Sequence, residues 1–322
     1  MDNYRTISII VPVYNEEKNI SDFYIALKEV LAKISYNCEI IFVNDGSHDN
    51  SQSELEKLAA SANGNGKERV RVLEFSRNFG KEVALTAGLN NSTGDAAIMI
   101  DADLQHPVGL IPEFINKWEK GVEVVIGVRQ KNKDCGVIKS WGSFLFYKIM
   151  NSIADIALVP NSTDFRLLDR KVIDEFNKFT ERHRMTRALI AWLGFNRDYI
   201  YFEAPVRANG KASYTIRKLI SLAMNSFVSL SLLPLKCAGY LGLFIIFTVG
   251  PFGLYVLIGK YLADWSYPAS FSGPAQLAIL ITFLVGIVLS SLGLVALYIA
   301  HIHNEMLGRP LYVLRKKKDD QI

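Results

Sequence analysis

In the first half of the chain the hydrophobic positions fall in short β-branched runs that alternate with stretches of helical spacing. Ser8 to Tyr14 (SIIVPVY), Glu39 to Asp45 (EIIFVND), Val70 to Ser76 (VRVLEFS), Ala96 to Asp101 (AAIMID) and Glu123 to Val128 (EVVIGV) read as strands. Helices are predicted over Ser21 to Ile34, from Lys81 to Leu89, and from Leu110 to Lys120 behind Pro107. Apolar runs of this length, separated by helices, imply a sheet buried on both faces: an α/β, Rossmann-like, doubly wound and mostly parallel sheet. Ligands of such sheets sit beyond the carboxyl ends of the strands. Polar residues collect there: Tyr14-Asn15-Glu16, Asn44-Asp45-Gly46-Ser47, Arg77-Asn78 and Asp101-Ala102-Asp103. No GxGxxG follows the first strand, which disfavours a dinucleotide oxidoreductase. The turn-rich segment from Asn63 to Lys67 lacks phosphate-loop spacing and reads as a surface loop.

The second half is patterned differently. Between Leu219 and Asn304 the only Lys, Arg, Asp or Glu residues are Lys236, Lys260 and Asp264. Thr215 to Leu233 places Ile216, Leu219, Ile220, Ala223, Met224, Phe227, Leu230 and Leu233 on one helical face, behind Arg217 and Lys218, as an interfacial helix does. Cys237 to Gly259 is an uncharged run long enough to cross a hydrocarbon layer of roughly 30 Å, and Gln276 to Ala300 is another. The stretch between them, Lys260 to Gly273, has no net positive charge and carries Trp265 and Tyr267, whereas the flanks, Arg217, Lys218, Lys236 and the tail Arg309 to Lys318, are basic. This predicts a transmembrane hairpin with both ends inside. The expected organisation is a cytoplasmic domain over 1–214, an amphipathic juxtamembrane segment over 215–234, two transmembrane helices over 235–301 and a basic cytoplasmic tail over 302–322. The expected location is the inner (cytoplasmic) membrane, multi-pass, because the first hydrophobic run, Ile7 to Val13, is too short for a leader.

Composition adds limits. Half the residues are hydrophobic and 21% are charged, which excludes a disordered chain. The mean hydropathy of +0.16 averages the two unlike halves. A net charge of +4 is too small to argue for nucleic acid. Cys38, Cys135 and Cys237 lie far apart with no CxxC pair, so neither a disulfide framework nor a zinc site is expected.

Asp101-Ala102-Asp103 is the sharpest chemical feature. Two carboxylates one residue apart at the end of a buried strand repel each other unless a positive group compensates, and a divalent cation carrying a nucleoside diphosphate does so. Oxygen ligands favour magnesium or manganese over zinc, and Gln105 offers a further neutral oxygen. The same letters also arise from a helix-capping Asp followed by a surface Asp. Glu17 reads as a charge near the start of the first helix. Lys81 and Glu82 read equally as a solvated helix start or as site residues, Arg170 as scaffolding, and His106, His301 and His303 show no ligand spacing.

VPVYNEE (Val11 to Glu17), VNDGSHDNS (Val43 to Ser51), SRNFGKE (Ser76 to Glu82), DADLQHP (Asp101 to Pro107) and TDFRLLDR (Thr163 to Arg170) occur in the order and spacing of family 2 glycosyltransferases. The whole chain, including Pro234 to Lys236, resembles the polyprenyl-phosphate glycosyltransferases of that family, relatives of dolichyl-phosphate mannose synthase and of bacterial enzymes that load glucose onto undecaprenyl phosphate. The resemblance implies a GT-A type domain and inverting transfer of a sugar from a nucleotide sugar, UDP-linked by likeness to the bacterial branch, to a polyprenyl phosphate. It implies nucleotide-sugar contacts at Pro12, Tyr14, Glu16, Asp45, Asp101, Ala102, Asp103 and Arg207. It also implies metal ligation by Asp101, Asp103 and Gln105, an acceptor-phosphate cluster of Arg129, Lys139 and Ser143, and a catalytic carboxylate at Asp164. The cofactor is then a divalent cation, Mg or Mn. The partners are the donor, the lipid acceptor, the membrane and, as in relatives, a homo-oligomer of four chains. Two positions depart from the family: Lys211-Ala212-Ser213-Tyr214 in the loop after Gly210, and His301 where Arg is usual. A processive polysaccharide synthase is disfavoured because no QxxRW segment is present. A non-catalytic, membrane-anchored binding protein is disfavoured by Asp101, Asp103 and Asp164 all being in place.

Overall fold

The structure is a computed structural model describing residues 5–62, 68–130, 159, 161–181, 184–203 and 273–315. Strand β1 (Thr6–Val13) leads into helix α1 (Ile20–Leu31), β2 (Asn37–Asn44), α2 (Ser51–Ala62), β3 (Glu68–Glu74), α3 (Lys81–Asn91) and β4 (Ala96–Met99). A 3-10 turn at Val108–Leu110 opens α4 (Ile111–Glu119), and β5 (Val124–Arg129) follows. Then come β6 (Ser162–Asp169), α5 (Arg170–Asn177), α6 (Thr186–Trp192), β7 (Arg197–Phe202) and α7 (Gly273–Met306). By internal contacts the chain divides into two compact units: Met1–Ala212 with Arg309–Ile322, and Ser213–Gly308.

Among the described residues the seven strands form one sheet in the order β3-β2-β1-β4-β6-β5-β7. Period-two alternation sends successive side chains to opposite faces. Ile7, Ile9 and Val11 of β1 pack with Phe23 and Leu27 of α1, Leu55 of α2 and Phe114 of α4. Ile10 points the other way, into a cluster with Leu85 and Leu89 of α3, Val172 and Phe176 of α5 and Leu189 of α6. Both faces are covered, as the sequence predicts. Buried Ile20, Phe23, Leu27 and Leu31 form the apolar stripe of α1, and each such side chain contributes roughly 1.5–3 kcal/mol.

The sheet is mixed. β1 pairs in parallel with β2 and β4, β2 with β3, and β5 with β7, but β6 runs antiparallel to both β4 and β5. That reversal matters for the crevice. Met99 lies opposite Arg166, so continuing the same register past the end of β4 sets Asp164 opposite Asp101. A parallel strand would have carried Asp164 to the far edge of the sheet.

The segment after α7 belongs to the first unit. Leu314 forms an antiparallel bridge with Phe75, Tyr312 stacks on Phe75 with ring centroids 5.2 Å apart, and Arg315 pairs with Glu74 at 2.8 Å. This covers the sheet edge at the C-terminal end of β3.

The expected membrane hairpin is corrected. Among the described residues no helix is long and apolar enough to cross a membrane, which removes the support for a multi-pass inner-membrane location. Cys237 to Gly259 and the expected interfacial helix, Thr215 to Leu233, lie outside the described residues. Gln276 to Ala300 lies within α7. The expectation there rested on absence of charge, a criterion that Gln276, Thr282, Ser290 and Ser291 satisfy as readily as leucine does.

The turn after β2 fixes the next loop. Gly46 has φ +64°, and a Cβ there would stand 2.4 Å from the backbone carbonyl carbon of Arg77. Gly46→Ala is therefore expected to lower the urea-unfolding free energy by roughly 1–3 kcal/mol from backbone strain alone, and further through displacement of the Ser76–Gly80 loop.

Candidate active site

The loops beyond the carboxyl ends of β1 and β2 hold each other. The amide of Asn15 donates to Ser47 Oγ at 3.0 Å, His48 N–H donates to Asn15 Oδ1 at 2.9 Å, and Glu16 N–H donates to Ser51 Oγ at 2.9 Å. Glu17 accepts from Asn50 N–H at 3.1 Å, so its carboxylate ties two loops together, whereas α1 has no side-chain cap bond. Tyr14 is exposed on this rim with His48 edge-on at 6.5 Å, and Pro12 is half-buried beneath it. Tyr14 and Glu16 are thus at least partly open to solvent. Asp45 is buried and its carboxylate accepts from the amides of Phe79 at 2.6 Å and of Gly80 at 2.9 Å. Burial pushes its carboxyl above the usual range, and the two amides oppose that shift.

This anchoring delivers α3. Gly80, φ +101°, precedes Lys81, the first helical residue. Lys81 Nζ lies 2.6 Å from Asp101 Oδ1 and 2.8 Å from Asp164 Oδ2, and donates to Asp101 Oδ2 at 2.8 Å. Glu82 accepts from the amide of Thr186 at 2.8 Å, which fixes the start of α6 and so places Arg187. Arg187 Nη2 donates to Asp164 Oδ1 at 3.0 Å.

Asp164 is therefore held between two cations. Burial alone would raise its carboxyl, but Lys81 and Arg187, with Arg166 behind them, hold it well below the usual carboxylate range. The same contacts raise Lys81 against its own desolvation. Arg166 is fully buried, and burial, then Arg187, push it down to about 10, so it remains charged at neutral pH. It donates from Nε to Thr163 O at 2.9 Å and so braces the backbone beside Asp164. Arg170 is likewise scaffolding: its Nε donates to Gly94 O at 2.8 Å.

The Asp101–Pro107 turn brings a residue that the sequence reading set aside. Leu104 has φ +58°, a conformation that costs a non-glycine residue of order 1 kcal/mol, and Gln105 N–H donates to Asp103 Oδ1 at 3.1 Å. The turn folds His106 back so that Nδ1 lies 3.6 Å from Asp101 Oδ2. Asp101, Asp103 and His106 each offer a ligand atom, all within 4.8 Å of one another. His106 is buried against Phe165 and Phe202, its Nδ1 has no hydrogen-bond partner, and burial lowers it from the ordinary histidine value. The two carboxylates suit Mn or Mg, and so the residues present fit the expected cation, the imidazole beside them being a nitrogen donor that a transition ion such as Mn accepts more readily than Mg does. Gln105 Oε1 accepts from Arg129 Nη2 at 3.1 Å. Ala102 is buried under the turn. Lys139, Ser143 and Arg207 lie outside the described residues.

Lys81, His106 and Arg187 were not assigned to the site from sequence. Lys81 and His106 stood inside motifs already singled out, whereas Arg187 carries no motif and is found only through the Glu82–Thr186 contact. The charge state of Asp164 can be tested directly. Its folded-state value lies below its unfolded one of about 3.9, so the stability it adds is complete above that value and is lost as the pH falls toward the folded one. The difference in urea-unfolding free energy between the protein and Asp164→Asn is therefore expected to stay constant from about pH 7 to about pH 5 and to shrink on further acidification.

Comparison with known proteins agrees with the order of these motifs. Residues 8–176 match glycosyl transferase family 2. The chain is 38% identical over 316 residues to the Bacillus subtilis glycosyltransferase YkcC, covering 98% of this chain and 95% of that protein. It is 35% identical over 310 residues to the SfII prophage-derived bactoprenol glucosyl transferase of Shigella flexneri, covering 96% of this chain and 97% of that one. A solved structure of glucosyl-3-phosphoglycerate synthase from Mycobacterium tuberculosis, 18% identical, superposes with a TM-score of 0.45 over 70% of this chain and 78% of that one. With a seven-stranded α/β sheet gathering Asp101, Asp103 and Asp164 at one crevice, and a family match over more than half its length, the chain belongs to glycosyl transferase family 2.

Proposed function

We propose that the protein transfers a glucosyl group from a nucleotide sugar, UDP-glucose, to a polyprenyl phosphate, with inversion and with a divalent cation, Mg or Mn. The observation that carries this reading is the convergence of Asp101, Asp103 and His106 within 4.8 Å, beside an ionised Asp164 at the carboxyl edge of the sheet. The near-full-length likeness to bactoprenol glucosyl transferases supports both the acceptor and the sugar. Pro12, Tyr14, Glu16 and Asp45 line the nucleoside side, with Asp45 also bracing the loop after Arg77. Arg129, with Lys139 and Ser143 farther along the chain, receives the acceptor phosphate, and Arg207 approaches the donor phosphates. The acceptor brings the protein to a lipid surface, and assembly as a homo-tetramer belongs to the same reading.

In the reaction an acceptor phosphate oxygen forms the new bond at the anomeric carbon as the bond from that carbon to the diphosphate breaks, and the nucleoside diphosphate leaves with the bonding pair. When bound, the divalent cation neutralises charge that builds on the departing diphosphate. The chain itself orients the two reactants and screens their charges. A phosphate monoester has its second pKa at about 6, so the attacking oxygen is already ionised near neutral pH and needs no base. Asp164 suits that chemistry: flanked by Lys81 and Arg187, it is a poor proton acceptor, and as a fixed negative charge it stabilises the positive character of the sugar in the transition state.

Labelled UDP-glucose and undecaprenyl phosphate supplied with Mn2+ are expected to give a labelled lipid, with loss of roughly 100-fold or more in Asp103→Asn. Equal labelling by that variant, or by the protein in excess chelator, contradicts the proposal.

A further inference from the structure

We infer that Lys81 is a positioning residue that stands in for the divalent cation, bridging Asp101 and Asp164 until the donor brings the metal, and thereby makes metal binding depend on the donor. The inference rests on the metal-dependent transfer proposed above and concerns this chain's own residues.

The geometry is specific. Lys81 Nζ donates to Asp101 Oδ2 at 2.8 Å and lies within ion-pair distance of Asp101 Oδ1 and of Asp164 Oδ2. A divalent ion on Asp101 stands about 2.0–2.6 Å from a carboxylate oxygen. Lys81 Nζ already stands 2.6 Å from Oδ1. A divalent ion on the same carboxylate brings a second positive charge within a few ångströms of the ammonium, so each weakens the other's hold there. Two features decide which end of Lys81 moves. Its root is fixed, because Asp45 holds Gly80 and Glu82 holds Thr186 on either side. Its side chain is 43% exposed, so the long stem is free to swing.

The two carboxylates differ in what they keep. Asp164 retains Arg187 at 3.0 Å whether or not Lys81 stays. Asp101 has His106 Nδ1 at 3.6 Å, a group that burial keeps neutral. Departure of Lys81 from Asp101 thus leaves that carboxylate without a cation, and the displaced ammonium finds new anionic partners in the oxygens of the donor diphosphate. Without donor, Lys81 opposes metal entry. With donor, that opposition disappears.

Mn2+ binding by electron paramagnetic resonance, with and without UDP, tests this apart from turnover. UDP is expected to tighten Mn2+ binding to the protein by about tenfold, a coupling of ordinary size. In Lys81→Gln, Mn2+ alone is expected to bind several-fold tighter and the effect of UDP to shrink, while Lys81→Arg keeps the coupling. A Lys81→Gln protein that is folded by circular dichroism but binds Mn2+ alone no better, or with an unchanged UDP effect, overturns the placeholder role and leaves the metal site standing. Failure of the unsubstituted protein to bind Mn2+ at all, while it still transfers sugar, overturns the metal reading itself and this inference with it.

Discussion

Two carboxylates facing each other across the end of a sheet are unstable without a cation between them, and the crevice of this protein is arranged around that requirement. Asp101 leaves β4 and Asp164 enters β6 from opposite chain directions at one edge. Lys81 Nζ joins them at 2.6 and 2.8 Å. The antiparallel insertion of β6 is what makes the pair possible. The positions of Lys81 and Arg187 are in turn consequences of charge: α3 begins where Asp45 holds its first turn, and α6 begins where Glu82 accepts the Thr186 amide.

The supports of the site are buried more deeply than the groups they support. Arg166 and Asp45 are 2% and 3% exposed, whereas the Asp101 side chain is 21% exposed and that of Lys81 is 43% exposed. Buried polar groups with fixed hydrogen bonds define geometry, and the half-exposed ones are left to exchange partners. Backbone strain has the same distribution. Among the described residues the non-glycine positions of positive φ are Asn15, Leu104 and Asn161, and each lies in a segment that flanks the crevice. Asn accepts that conformation readily, and Leu104 does so in the turn that brings His106 to Asp101.

Much of the framework was legible in the sequence because period-two runs and helical spacing report burial directly. The strands ending at Asn44 and Met99, and the helix starting at Lys81, were placed within about two residues, the ordinary disagreement over element ends. The sense of β6 was not legible: TDFRLLDR shows which residues alternate but carries no sign of which neighbour it pairs with or in which direction. His106 escaped because ligand spacing was sought along the chain, whereas a left-handed Leu104 folds the chain back on itself. Asp45 stands in a motif that the sequence shows, but its hold on the Phe79 and Gly80 amides depends on tertiary packing that the sequence does not show. The membrane hairpin was inferred from missing charge, which measures what a segment lacks and not what surrounds it.

The position of a metal at the Asp101–Pro107 turn is the central question. An anomalous difference map from crystals grown with Mn2+ and UDP should place one manganese against the carboxylates of Asp101 and Asp103, with Lys81 Nζ withdrawn from Asp101. A map with no anomalous density at that turn, or with manganese bound elsewhere while Lys81 still bridges Asp101 and Asp164, would contradict that placement.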